Sequence, residues 1–452
     1  MLNFLLLNFY FLICFTSCSI TKQISKQANT ILLHDPAIST GHIGISIYEP
    51  ATNKYWYNYD ATKYFIPASN TKLFTLYAGM KYLGDSLVGL RYEEYIESIH
   101  ILPTGDPTFL HEDFAKQPVY DFLKKSTKPL SVVGYAKVPR KFNKYGPGWA
   151  WDDAEDDYMA ERTEFPIYGN MTRITIDKDS NVTVVPEIPG SSVHFTKLPP
   201  SIEADMITEN KPVKKFVGGN MLINTRLIKL NSVTKIPFSD LEDRSLLGFI
   251  RDTLYNHNYN KEIELVIVND TKKSNNNFKI IHSQPSDSLF KPMMHRSDNF
   301  FAEQTLLMAS NEHLGYMSDE AIIDSLLSND LKDIPQRPKW VDGSGLSRYN
   351  LFTPQSFVYI LNKTKNEFGW DRQKNILATG GTGTLANYFK DASGFIYAKT
   401  GTLSNNCALS GFLITKKGKL LIFSVLTNNY ITGATPVRRA VEKFLLGIRE
   451  KY

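Results

Sequence analysis

Cysteine is nearly absent from this chain: Cys14, Cys18 and Cys407 are the only three among 452 residues. Cleavage of a leader before Cys18 discards Cys14, and lipidation of Cys18 leaves Cys407 without a partner. An exported chain with no internal disulfide must be stabilised by its core. Long apolar runs are missing as well. Leu5 to Phe15, broken only by Asn8, falls short of the roughly 20 residues a membrane-spanning helix needs. No H-E-x-x-H occurs and the nine histidines form no ligand cluster, so neither a metal nor another cofactor is expected. A G-x-S-x-G elbow is absent, and Gly380-Gly381-Thr382-Gly383-Thr384 lacks the Lys-Ser/Thr of a phosphate loop. Lys and Arg outnumber Asp and Glu only by 51 to 46, without a basic block, which argues against nucleic acid as a partner. Internal repeats and low-complexity tracts are also lacking.

What is present is ample core material, 42% hydrophobic and 12% aromatic residues, in a length that fits two or three domains. The isoelectric point near 8.7 suits an anionic polymer or surface, though a solvated surface of mixed charge explains it equally. The Leu5–Phe15 run has the length of a signal-peptide core, with no Lys or Arg before it. It ends in Phe15-Thr16-Ser17-Cys18, small residues just ahead of a cysteine, as in a bacterial lipobox. Residues 1–17 therefore read as a lipoprotein-type leader, with Cys18 lipidated and holding the mature chain on a membrane. An ordinary signal peptide cleaved nearby is the alternative.

Residues 20–33 read as a helix, Gly44–Tyr48 as a strand and Lys54–Asn58 as its hairpin partner across a Pro50–Asn53 turn. Lys72–Leu83 reads as a helix closed by Gly84. At the other end, Cys407–Thr415 and Leu420–Leu426 read as strands and the stretch from Pro436 as a helix. Terminal helices on an antiparallel sheet built from both chain ends give an α+β core. The middle alternates strand-like runs with Pro- and Asn-rich loops. We therefore divide the chain into a discontinuous core, 18–85 plus 286–452, and an inserted β-rich region, 86–285.

Three short motifs carry chemistry. Ser69-Asn70-Thr71-Lys72 puts a hydroxyl and an amine three positions apart at a helix start, within reach of each other. Serine needs a base to become a nucleophile, and lysine can be that base once its pKa falls. Ser297-Asp298-Asn299 precedes a helical run, and Lys399-Thr400-Gly401-Thr402 ends a strand-like run. Gly401 lets a substrate approach a strand edge, and Lys399 offers a fixed cation to a carboxylate. Each motif alone is weak: capping serines and exposed lysines are common. Their joint order, S-x-x-K, S-D-N, K-T-G, is the set found in penicillin-binding proteins and β-lactamases.

Further landmarks narrow the resemblance. Gly105-Asp106-Pro107-Thr108, Gly146-Pro147-Gly148-Trp149-Ala150-Trp151-Asp152-Asp153 and Asp342-Gly343-Ser344-Gly345-Leu346-Ser347-Arg348 accompany Gly383-Thr384-Leu385 and Ala408-Leu409-Ser410-Gly411. With them the chain resembles the class C low-molecular-mass penicillin-binding proteins, the D-alanyl-D-alanine carboxypeptidase/endopeptidases. The resemblance implies a transpeptidase-like core with inserted domains between the first two motifs, where this chain has its long β-rich interval.

It also implies roles. Ser69 attacks the bond between the terminal D-alanines of a peptidoglycan stem peptide, with Lys72 as general base. Ser297, linked to Lys72 and Lys399, relays the proton to the leaving D-alanine, and Asn299 orients the peptide and Lys72. Lys399 and Thr402 hold the terminal carboxylate beside Thr400 and Gly401, and the N–H groups of Ser69 and Thr402 form an oxyanion hole. β-Lactams are then covalent inhibitors. Asp152 or Asp153, following two tryptophans, is expected to meet the stem peptide's diamino-acid ammonium, with capping or a solvated pair as the alternative. Two rival readings remain: a β-lactamase or esterase on the same core, which fast penicillin turnover would reveal, and a non-catalytic peptidoglycan sensor.

Overall fold

Burial on both faces organises the six-stranded sheet at the heart of the molecule. The computed structural model describes residues 20–126, 130–135, 141–179, 181–186, 193–194, 206–208, 213–215, 221–224, 227, 231–238, 249–250, 253–254, 263–268 and 278–452. Cys18 and the apolar run before it lie outside these residues. The sheet contains β1 (His42–Glu49), β2 (Lys54–Tyr59), β3 (Ala378–Thr379), β4 (Ile396–Leu403), β5 (Asn406–Ile414) and β6 (Leu420–Asn428). Their spatial order is β3-β4-β5-β6-β1-β2, every neighbour antiparallel. Ile45 faces Val425 and Ile47 faces Phe423, so the two ends of the chain meet in the centre of the sheet.

Successive side chains of a strand point to opposite faces, and here both faces are covered. Ile43, Ile45, Ile47, Phe423 and Val425 pack with Ile24, Ala28 and Leu32 from the N-terminal stretch and with Val437, Phe444 and Leu445. Ala408, Phe412, Ile422 and Leu426 belong to the opposite core. That core is filled by α1 (Lys72–Tyr82) and α2 (Asn299–Leu314), whose first nine and middle eleven residues are all buried. A helix buried on every side belongs in a core, and that is where the first and second motifs are anchored. The last helix, α3 (Ala434–Lys451), starts two residues earlier than the sequence reading placed it, with Gly433 as its cap.

The architecture is α+β. Residues 86–285 hold three further sheets among the described residues. The largest runs Ile263–Val268, Leu130–Tyr135, Ile99–Leu102, Ser86–Glu94, Lys279–Pro285. Its last two strands pair antiparallel, Leu90 opposite Ile281, so this region leaves the core and returns to it on neighbouring strands. Its Leu130–Tyr135 strand has a parallel partner on each side.

Candidate active site

Ser69 lies in a tight 3₁₀ turn, Ala68–Thr71, that runs straight into α1. Ala68 has φ +47°, uncommon for a residue with a side chain, and the Thr71 hydroxyl locks it by donating to the Ala68 carbonyl at 3.0 Å. Two glycines press against this turn. A side chain at Gly401 would come within 3.0 Å of the Ser69 nitrogen, and one at Gly345 within 1.9 Å of the Ala68 carbonyl oxygen. Only glycine leaves room at these approaches. Asn70, with its amide donating to the Lys399 carbonyl at 2.8 Å, ties the turn to β4.

Lys72 is fully buried. Its Nζ lies 3.0 Å from Ser69 Oγ, 2.6 Å from Asn299 Oδ1 and 2.6 Å from the Ser344 carbonyl oxygen. Burial lowers its pKa to about 8, against the pull of Asp342, Glu303 and Asp298, which favour the charged form. In the neutral amine the two short contacts use both N–H donors, and the remaining lone pair faces the Ser69 hydroxyl. That is the geometry a general base needs.

The other motifs converge on the same cleft. Lys399, also fully buried, donates to Ser297 Oγ at 2.8 Å and to the Thr400 carbonyl at 2.6 Å. Burial, with Lys72 and then Arg438 as neighbouring cations, holds its pKa well below the ordinary lysine value. Ser297 has φ +63° and so turns sharply ahead of α2, whose first turn Asp298 caps by accepting the Phe301 N–H at 2.9 Å. Asn299 donates its Nδ2 to the Tyr158 carbonyl at 3.0 Å, which brings the 146–158 loop to the edge of the cleft.

Some placements differ from the sequence reading. Lys399-Thr400-Gly401-Thr402 lies inside β4, which runs on to Leu403, because these residues keep pairing with Cys407–Ser410 of β5. Ser297 is held by Lys399, and Lys72 takes Asn299 instead. Asp152 and Asp153 sit in a 3₁₀ turn with Trp151 at the rim, without a capping bond from the residue before it. Trp151 itself is 87% exposed. Thr402 is exposed on β4, and its hydroxyl accepts from the guanidinium of Arg438 on α3.

Sequence reasoning missed three neighbours of the site: the Ser344 carbonyl, Glu303 and Arg438. Main-chain acceptors leave no residue-type signal. Arg438 stands in a plain amphipathic helix. Glu303, one turn after Asn299, was the one legible clue, since a carboxylate within a largely apolar helical run needs a buried partner.

The chain is similar to known proteins over most of its length. The D-Ala-D-Ala carboxypeptidase 3 (S13) family model matches residues 25–446. The D-alanyl-D-alanine carboxypeptidase of Actinomadura sp. (strain R39) is 25% identical over 90% of this chain and 81% of its own. The penicillin-sensitive carboxypeptidase A of Dictyostelium discoideum is 23% identical over 88% of this chain and 85% of its own. The crystal structure of penicillin binding protein 4 from Haemophilus influenzae shares the fold, with a TM-score of 0.70 at 19% identity over 94% of this chain and 99% of that one.

Proposed function

The chain belongs to the D-Ala-D-Ala carboxypeptidase 3 (S13) family and is a serine-type D-alanyl-D-alanine carboxypeptidase/endopeptidase of the penicillin-binding group; we propose that Ser69 is its nucleophile and Lys72 its base. The observation that carries this is the Lys72 amine, stripped of water and aimed at Ser69 Oγ by Asn299 and Ser344. The Ser69 oxygen attacks the carbonyl carbon between the two D-alanines while its proton passes to Lys72. The developing oxyanion meets the Ser69 and Thr402 N–H groups, a term worth roughly 3 kcal/mol per donor. The C–N bond then breaks, and the leaving amine takes a proton delivered through Ser297, which Lys399 holds. Water attacks the ester as Lys72 accepts its proton, the bond between Ser69 Oγ and the acyl carbon breaks, Lys72 returns the proton to Ser69 Oγ, and the shortened stem peptide leaves as a carboxylate, its acid proton going to solvent.

The substrate's terminal carboxylate lies along Lys399, Thr400, Gly401 and Thr402. Arg438 adds a second cation there, because it already engages the Thr402 hydroxyl. A β-lactam presents the same carboxylate and an activated carbonyl, so it acylates Ser69.

Asp152 and Asp153 contact the stem peptide's ammonium group from the rim. This reading is supported by the neighbouring Tyr158 carbonyl, which bonds Asn299 at 3.0 Å. The test uses stem pentapeptides ending in D-Ala-D-Ala. D-alanine release blocked by penicillin is expected, with KM raised about tenfold in Asp152→Ala or Asp153→Ala, the scale of one charge-assisted contact. Acylation by simple penicillins should stay nearly unchanged in these variants. Equal loss on both substrates would assign the pair to folding, and no D-alanine release by the wild type would defeat the proposed mechanism.

The substrate lies in the cell envelope, and we place the enzyme on its periplasmic side. Cys18 is the lipid-bearing mature N-terminus in this reading, supported by Phe15-Thr16-Ser17-Cys18 after an apolar run. Mass spectrometry of the mature protein should find a diacylglyceryl-modified Cys18. An unmodified N-terminus, or a start elsewhere, would refute it.

A further inference from the structure

Beneath Lys72 lies a buried ionic cluster to which the mechanism above gives no part. Arg162 is 2% exposed and comes from the 141–167 loop, which also carries Trp149 and Tyr158. Its Nη1 donates to Asp319 Oδ2 at 2.5 Å and to Glu303 Oε2 at 3.2 Å. Its Nε donates to the Asn143 carbonyl at 2.9 Å, and the Trp149 ring lies 5.6 Å from its guanidinium carbon. Glu303 stands one helical turn after Asn299 on α2. Its second oxygen, Oε1, accepts the Ser344 N–H at 2.7 Å, and the Ser344 carbonyl is one of the two short acceptors of Lys72. An unbroken chain of contacts therefore runs Arg162, Glu303, Ser344, Lys72.

Such a cluster is an expensive way to fill a core. Burying charges costs several kcal/mol per ion, and apolar residues of similar size often serve stability as well. Its position suggests another reason. Both acceptors that orient the Lys72 amine lie beside Glu303: Asn299 stands one turn before it on the same helix face, and its carboxylate pins the Ser344 backbone through the N–H. Resting on the reading of Ser69 and Lys72 as nucleophile and base, we infer that Arg162 is a positioning residue. It fixes the Glu303 carboxylate and, through the backbone of Ser344, the aim and charge environment of the base. The 141–167 loop and the general base thus act as one unit.

The electrostatics carry a sign. Burial and the neighbouring Asp342 push Glu303 up to about 7, with Asp319 adding to them, while Arg162 and then the Ser344 side chain oppose the rise. Without Arg162, Glu303 takes up a proton at neutral pH. Lys72 is faced by Glu303, Asp342 and Asp298, which favour its ammonium form, and by Lys399, whose own titration it affects. Losing the Glu303 charge removes one of the three anions, so Lys72 gives up its proton at lower pH.

The experiment measures acylation of the full chain by a chromogenic penicillin between about pH 6 and 10, the range over which a base of this kind titrates. Arg162→Met should lower the maximal rate by about 10- to 100-fold, the scale of a small misplacement of reacting groups. It should also move the rising limb of the profile to lower pH. Arg162→Lys should restore the limb and much of the rate. Glu303→Gln, which keeps an acceptor for the Ser344 N–H, should move the limb the same way with Arg162 in place, and the double variant should move it no further. A limb that stays put in Glu303→Gln and in any folded Arg162→Met protein would overturn the inference, whatever happens to the rate. Failure of the wild type to form a Ser69 adduct would overturn the nucleophile assignment instead, so the two failures are distinguishable.

Discussion

Ser69→Ala is expected to abolish covalent attachment of penicillin and to lower D-alanine release by roughly six orders of magnitude, the scale on which serine hydrolases lose turnover without their nucleophile. Proximity to Lys72 singles out this hydroxyl: its Oγ lies 3.0 Å from the amine, whereas Ser297 Oγ is bonded to Lys399. The carboxylate clamp on β4 survives the substitution, so Ser69→Ala should still bind the pentapeptide while failing to cleave it. Lys399→Ala provides the contrast, because it removes a cation and leaves the nucleophile. Labelling should then slow without moving to another residue. Mass spectrometry of a digest of the penicillin-treated protein decides the matter. A label on another residue, or undiminished D-alanine release by Ser69→Ala, would overturn the assignment.

The second large effect concerns the base. Lys72 titrates near 8 because burial disfavours its charged form, so at neutral pH most molecules carry the inactive ammonium. Below that value the fraction of free amine rises tenfold per pH unit, and above it the fraction saturates. Acylation by penicillin should therefore climb through about pH 8 and then flatten. Lys72→Met should lower it by about 10²- to 10⁴-fold, the usual contribution of a positioned base, and erase the climb. Lys72→Arg should not rescue it, since a guanidinium stays protonated throughout this range. Stopped-flow acylation rates across pH test all three expectations. A climb of wild-type amplitude persisting in Lys72→Met would assign the titration to another group.

The chemistry was more legible in the sequence than the machinery that aims it. Ser69, Lys72, Ser297, Asn299 and Lys399 announce themselves because nucleophile, base and cation chemistry restricts residue type and because their motifs occur in a fixed order. The structure bonds Ser69 and Asn299 to Lys72 and Ser297 to Lys399. Core strands were legible too: the runs at Gly44–Tyr48, Cys407–Thr415 and Leu420–Leu426 fall where the sheet is buried on both faces. The Ser344 carbonyl was not, because any residue supplies a carbonyl and only the path of the chain gives it a role. Arg162 was hidden by distance. Nothing local to residue 162 says that its partners are Glu303 and Asp319, more than a hundred positions downstream. The parallel pairings of Leu130–Tyr135 were missed because short strands in a loop-rich stretch carry no register signal.

The central sheet has a temporal consequence. β1 is flanked by β2 and by β6, the last strand of the chain, with Tyr48 opposite Ile422 and His42 opposite Asn428. The turn bearing Ser69 follows soon after β2, yet the glycine that abuts it, Gly401, and the cation expected to anchor the substrate, Lys399, are among the last parts to be made. A nascent chain that has emerged as far as α2 already contains nucleophile, base and Asn299, but the inner edge of β1 is unpaired and no strand exists for a substrate to lie against. Closure of such distant pairings is slow. On the proposed reading the site is therefore incomplete until β6 has paired with β1 and, through β5, has brought β4 alongside.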